Sequence, residues 1–137
     1  MVFLKKFDDL TNIELLEIMQ LRQEVFMVEQ AIIETDIDVY DQVCLHAFIK
    51  KDGHIVSYAR LVDKHDQLYI GRVVTKKAYR NQGFSTEIMK YFIERNDVLA
   101  VSAQVQVIPF YKKLGFKEVG KKYKEAGIPH QKMVFIK

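Results

Sequence analysis

Residues 71–86 read G-R-V-V-T-K-K-A-Y-R-N-Q-G-F-S-T, and the helical pattern E-I-M-K-Y-F-I-E follows directly. An apolar run therefore passes into an amphipathic one through the polar segment Arg80-Asn81-Gln82-Gly83-Phe84-Ser85-Thr86. That order of elements suits an anion. The first turn of a helix leaves backbone N–H groups without partners, and its dipole favours negative charge there. Gly83 lets a ligand approach the main chain closely, and Arg80 adds a permanent charge able to fork onto phosphate oxygens. Glycine alone would indicate only a loop. Strand, arginine, glycine and helix together describe a phosphate cradle.

The elements that must position this segment can be read along the chain. Val2 to Phe7 suits a short strand, and Thr11-Asn12-Ile13-Glu14 is a capping box opening a helix predicted to run to about Val28. Leu15, Ile18, Met19, Arg22 and Phe26 recur along that helix at helical spacing. Ala31 to Gln42 is acidic and aperiodic, a loop or irregular short helix. Val43 to Lys50 and His54 to Val62 are strand-like and joined through Asp52-Gly53, a strong hairpin signal. Gln67 to Thr75 follows as a strand, then a helix from about Ser85 to Arg95 and a buried strand at Val98 to Ser102. Pro109 fits the first turn of a short helix ending before Gly115, and Phe116 to Lys124 and Lys132 to Ile136 finish as strands. The order β-α-β-β-β-α-β-α-β-β describes an α/β domain with a mixed sheet and helices on both faces. Neither a repeat nor a Pro/Gly/Ser linker interrupts it, so residues 1–137 read as one domain.

Composition limits the remaining function classes. A net charge of +3 is too small to imply nucleic-acid binding by itself, and most aromatic residues fall on predicted core faces rather than on an exposed basic stripe. Cys44 is the only cysteine, which excludes an intrachain disulfide and a thiolate zinc site. It falls in a predicted strand and reads as a small buried apolar residue. Period two places His46 on the face of Cys44 and Phe48, where a hydrogen-bonded structural histidine is expected. The first seven residues lack the pattern of a signal peptide and no apolar run reaches membrane-spanning length, so a cytoplasmic protein without membrane contacts is expected.

The cradle segment also resembles the acyl-CoA pyrophosphate loop of the GNAT superfamily of N-acetyltransferases, commonly Arg/Gln-x-x-Gly-x-Gly/Ala. Ser85 stands where the family has glycine or alanine. A second family block is similar to Gln104-Val105-Gln106-Val107-Ile108-Pro109-Phe110-Tyr111-Lys112-Lys113-Leu114-Gly115-Phe116. Across nearly the whole chain, "LRQEVFMVEQ", "DIDVYD", "IGRVV", "SAQ", "PFYKKLGF" and "AGIPHQKM" resemble the ElaA/YjcF-like branch.

The resemblance implies a GNAT-like acyl-CoA N-acyltransferase fold and direct transfer of an acetyl group from acetyl-CoA to a small-molecule or peptide amine. It implies no covalent enzyme intermediate, and a homodimer is compatible with it. Val73, Val74 and Thr75 correspond to the segment whose main chain pairs with pantetheine amides, and Arg80 to Thr86 to the diphosphate loop. Gln104 matches an asparagine that contacts pantetheine or acceptor, and Phe110 lies in the helix beside the pantetheine arm. Tyr111 matches the tyrosine that protonates the departing thiolate, with an ordinary packed, hydrogen-bonded tyrosine as the alternative. Glu29, Glu34, Asp36, Asp38, His46 and His130 are the candidates for the base. His130, in a predicted loop after Gly127-Ile128-Pro129, either takes a proton or ties the loop to the sheet. The acidic run from Glu34 to Asp41 is expected to attract an amine cation. Two other functions share these features. A non-catalytic acyl-CoA-binding or sensor domain would need Arg80 and Gly83 but not Tyr111. "LRQEVF" with "DIDVYD" also resembles acyl-homoserine-lactone synthases, which are longer and carry a tryptophan that this chain lacks.

Overall fold

The computed structural model describes residues 1–137. Strand β1 (Phe3–Lys6) leads to helix α1 (Asn12–Arg22), whose start is set by side chains. Thr11 Oγ1 accepts the Glu14 N–H at 3.0 Å, and Glu14 Oε1 accepts the Thr11 N–H at 2.9 Å. Strands β2 (Leu45–Lys51) and β3 (His54–Asp63) form a hairpin whose Asp52 and Gly53 have φ of +53° and +80°, the two positive values that a tight turn of this hand requires. Strand β4 (Leu68–Thr75) precedes helix α2 (Phe84–Arg95), and β5 (Val98–Gln104) precedes the short helix α3 (Ile108–Lys113). Strands β6 (Lys117–Glu118), β7 (Tyr123–Glu125) and β8 (Ile128–Ile136) complete one sheet. Its order is β1-β2-β3-β4-β5-β8-β6, with β7 also on β8, and only β4 and β5 are parallel.

Strand alternation divides the core into two layers. Phe48 pairs with Tyr58 on one face, under Ile18 and Leu21 of α1. Ala47 pairs with Ala59 on the other, under Ile88, Met89 and Phe92 of α2, with Ile108 and Tyr111 of α3 in the same cluster. Each large side chain fully buried in these layers contributes about 1.5–3 kcal/mol relative to an exposed position. Helices therefore cover both faces of a mixed sheet.

Four segments differ from the sequence reading. The first helix does not run as regular α-helix to Val28: from Gln23 to Glu29 it widens into a π-helical turn, with Gln30 N–H bonded to Val25 O at 2.9 Å. Phe116 to Lys124 is not one strand but two short ones, β6 and β7, both laid against β8. The final strand begins at Ile128, not Lys132, because Ala126 and Gly127, with φ of +52° and +74°, turn the chain between β7 and β8. His130 is thus a strand residue facing Gln104 in register, not a loop residue. Cys44 is buried but lies one residue before β2.

The feature that matters for function lies between β4 and β5. They pair only at Tyr69–Ala100 and Ile70–Val101, so beyond those positions the facing edges of Gly71–Thr75 and Ser102–Gln104 have no strand partner in each other. A bulge widens the opening. Tyr58 pairs with Val74 and Arg60 with Gly71, so Arg72 and Val73 stand against Ala59 alone. The sheet splays into a notch.

Candidate active site

A cavity of about 880 Å³ follows this notch, within the range of small-molecule and cofactor sites. Val73, Val74 and Thr75 line one wall, and Gln104, Phe110 and Tyr111 the other. At the Thr75 end the cavity meets the start of α2. Asn81 and Gly83 have φ of +64° and +84°, which curls the loop before the helix, and Gly83 is the cap residue. The first helical bond is Glu87 N–H to Gly83 O at 3.0 Å, so the preceding N–H groups are free of the helix ladder. A Cβ on Gly83 would meet no atom within 4 Å, so open space adjoins the main chain there. Asn81, Phe84, Ser85 and Thr86 also line this end, whereas Gln82 does not. Ser85 leaves the capping position to Gly83 and instead bonds Thr75 Oγ1 at 2.7 Å, which in turn bonds Ser57 Oγ at 2.9 Å. The serine ties the helix start to the end of β4.

Arg80 lines the cavity but is held from the side. Its Nε donates to Thr75 O at 3.0 Å, and Nη1 and Nη2 donate to Glu29 at 2.6 and 2.9 Å. Glu29 itself does not line the cavity, and its bonds to Arg80 hold its carboxyl below the usual range. Glu29 is therefore an ion-pair partner and not a free base. One residue on, Gln30 accepts from Gln104 Nε2 at 3.0 Å, while Gln104 Oε1 accepts from Gln106 at 2.7 Å. Residues 29 and 30 thus bridge the two walls.

Tyr111 is 6% exposed, with its ring against Phe110 and Phe116 at centroid distances of 5.1 and 5.7 Å. Its hydroxyl makes no hydrogen bond within the chain, and it lines the cavity. Burial pushes its pKa well above the ordinary tyrosine value, so the phenol stays protonated at neutral pH. His130 is buried opposite, with Nδ1 donating to Ile128 O at 2.7 Å and Nε2 3.5 Å from the Glu125 carboxylate. The carbonyl only accepts, so neutral His130 carries its proton on Nδ1 and keeps a lone pair on Nε2. Tyr123 stacks on the imidazole and bonds Ser102 Oγ.

The acidic run behaves differently from expectation. Asp41 accepts from Arg22 Nη1 at 2.7 Å, Arg60 Nη1 at 2.9 Å and the Asp38 N–H at 3.0 Å. Asp36 Oδ2 accepts from Arg22 Nε at 2.8 Å, and Asp38 takes both Nη atoms of Arg60 at 2.7 and 2.8 Å. Arg72 adds an ion pair, its Nε 2.8 Å from Asp36 Oδ1 without hydrogen-bond alignment. These carboxylates are neutralised by arginines and do not form a free cation trap. Arg60 first, against opposing burial, holds Asp38 below the usual carboxylate range, which makes it a poor base. Only Glu34 of the run lines the cavity without a partner. His46 is fully buried outside the cavity, with Nε2 donating to Asp41 O at 2.9 Å and Nδ1 accepting from Tyr58 at 2.6 Å. Burial lowers its pKa, and it serves the same polar layer.

The sequence reading missed Arg60 and Arg72, which line the cavity between the notch and this layer. Arg60 sits in an apolar strand and Arg72 within the G-R-V-V run, and an arginine inside a strand core was the available signal.

The fold and this notch define an acyltransferase of the GNAT type. The family model for the acetyltransferase (GNAT) domain matches residues 14–137. Protein ElaA of Escherichia coli is 32% identical over 133 residues, covering 89% of this chain and 87% of ElaA. Its crystal structure superposes with a TM-score of 0.91 over 98% of this chain and 99% of its own. An acyl-CoA N-acyltransferase from Pseudomonas aeruginosa gives a TM-score of 0.91 at 34% identity over 98% of each chain. An aminoglycoside 6'-N-acetyltransferase complexed with coenzyme A shares the fold at 11% identity, with a TM-score of 0.72 over 98% of this chain and 96% of its own. The chain belongs to the GNAT acetyltransferase family, in the branch that contains ElaA and YjcF.

Proposed function

We propose that this protein transfers the acetyl group of acetyl-CoA directly to a primary amine. The observation that carries the reading is the β4–β5 notch, which joins a helix N-terminus at one end to an unbonded tyrosine hydroxyl on its wall. The N–H groups at the start of α2 and the Arg80 guanidinium suit a diphosphate. The unpaired edge of β4 at Val73 to Thr75 suits the amides of a pantetheine arm, and Gln104 and Phe110 flank its far end. An aminoglycoside acetyltransferase of the same fold is complexed with coenzyme A, which supports coenzyme A as the ligand.

The amine nitrogen attacks the thioester carbonyl carbon, the C–N bond forms, the C–S bond breaks and the sulfur leaves as thiolate. Tyr111 donates a hydrogen bond to that sulfur. Burial keeps the Tyr111 phenol protonated, so it donates a hydrogen bond that stabilises the developing thiolate, and the proton lost by the amine reaches the released thiolate through His130 and solvent. His130 Nε2 takes the amine proton, directly or through water, and Glu125 stabilises the imidazolium. No nucleophile on the enzyme is needed. Burial raises the Cys44 thiol to about 11, which leaves it inert.

A broad screen of amines with acetyl-CoA, followed by release of free thiol, tests this reading. Amine-dependent thiol release is expected. Intact coenzyme A binding with no turnover across the panel would leave an acyl-CoA sensor as the function.

A further inference from the structure

The Tyr69 end of the cavity, on the α1 face of the sheet, holds donors that the reaction above does not use. Arg60 is 4% exposed, and its Nη atoms are taken by Asp38 and Asp41, yet its Nε–H has no partner. A buried donor left unpaired is costly and calls for an acceptor. A Cβ on Gly71 would lie 4.0 Å from this Nε, and Gly71 lacks the positive φ that would otherwise require glycine. The missing side chain leaves the guanidinium open.

Arg72 supplies the second donor. The β4 bulge holds it at φ +52°, an uncommon conformation for a non-glycine residue that persists where the surroundings impose it. Its Nε and Nη2 face Asp36 and Asp38, and Nη1 has no partner in the chain. Lys64 lines the same end, with Nζ 5.4 and 5.0 Å from the ring centroids of Tyr40 and Tyr69 and no carboxylate partner. Arg22, Arg60 and Arg72 are balanced by Asp36, Asp38 and Asp41, which leaves the Lys64 charge unmatched within this cluster.

We infer that Arg60 Nε, Arg72 Nη1 and Lys64 form a subsite for a carboxylate carried by one of the two substrates. The inference rests on the acyltransferase reading and names the substrate class of that same cavity. A planar carboxylate accepts several N–H groups at once, which suits guanidinium donors. It has two sources: an amino acid as the acceptor, or an acyl chain that ends in a carboxylate. Glu34, exposed on the same cavity and without an ion-pair partner, supplies a counter-charge for the ammonium of an arriving amino acid.

The test compares kcat/KM for matched substrates in two arms. One arm takes amino acids, their amides and their decarboxylated amines with acetyl-CoA. The other takes succinyl-CoA against acetyl-CoA with a decarboxylated amine. The carboxylate-bearing substrate is expected to win by about tenfold or more in one arm, the scale of a charge-assisted hydrogen bond. The winning arm identifies the source. Arg72→Gln is expected to bring that ratio toward unity. Gly71→Ala keeps every charge while covering Arg60 Nε, and is expected to reduce the ratio even if Arg72→Gln fails to fold. Equal turnover of charged and uncharged substrates in both arms overturns the subsite alone, as does a ratio that Gly71→Ala leaves untouched. No turnover in either arm, with coenzyme A still bound, overturns the acyltransferase reading and this subsite with it.

Discussion

The Glu29 carboxylate holds the Arg80 guanidinium through bonds of 2.6 and 2.9 Å, across 51 positions of chain. A diphosphate bound at the start of α2, as proposed, would compete with that carboxylate for the same donors. Arg80→Ala is expected to weaken coenzyme A binding by about 1.5–3 kcal/mol, the value of a charge-assisted bond. Glu29→Gln removes the competitor and is expected to tighten binding. Calorimetry on both variants checks the assignment, and unchanged affinity in a folded Arg80→Ala protein contradicts it.

Tyr111 packs its ring on Phe110 and Phe116 but gives its hydroxyl to no group of the chain. Tyr111→Phe therefore deletes no internal hydrogen bond, and the melting temperature and coenzyme A affinity should stay near those of the parent. With an accepted amine, kcat is expected to fall by about 10²-fold. A stable variant with parental kcat, where chemistry limits the rate, removes Tyr111 from the reaction.

His130 presents an unprotonated Nε2 beside Glu125 while Nδ1 is fixed on Ile128 O. His130→Gln is expected to lower kcat by about 10²-fold while coenzyme A affinity stays near that of the parent, because the acceptor of the amine proton is gone. A parental kcat with only a lower melting temperature assigns the imidazole to the β7–β8 hairpin alone.

Acid should loosen the polar layer beneath α1. Burial by itself raises the Asp41 carboxyl, but Arg22 and the Asp38 N–H outweigh it and hold it at about 2. The same opposition, resolved by the Thr11 N–H, Lys5 and Lys50, holds Glu14 at about 2. Both lie below their unfolded values, about 3.9 for aspartate and 4.3 for glutamate. The unfolded chain therefore binds more protons in that window. The stabilisation is complete above about pH 5 and is lost as pH falls toward about 2. Denaturant melts from pH 7 to pH 2 measure this loss. Asp41→Asn leaves the fully buried Arg22 short of a carboxylate, and is expected to cost about 3–5 kcal/mol at neutral pH and to flatten the acid limb. An unchanged midpoint contradicts the network.

What could be read in advance was governed by range. The Thr11–Glu14 box, the Asp52-Gly53 turn and the strand–loop–helix at Gly83 are each settled within a few residues, and each formed. The Arg22–Asp41 pair joins positions 19 apart through a segment without periodicity, so the acidic run looked free when it was already paired. His130 was misplaced because Ala126 adopts a positive φ that its residue type does not announce, and Pro129 suggested a loop. The bulge that aims Arg72 had no local signal.

Direct transfer in the notch is tested most squarely by a single turnover. The preformed acetyl-CoA complex is mixed rapidly with an accepted amine, and acetylated amine, free coenzyme A and acetylated protein are measured over time. The expected result is one equivalent each of acetylated amine and coenzyme A, appearing together, with no acetyl group on the protein. An acetyl-protein species that forms and decays at the turnover rate, or coenzyme A released without acetylated amine, would contradict it.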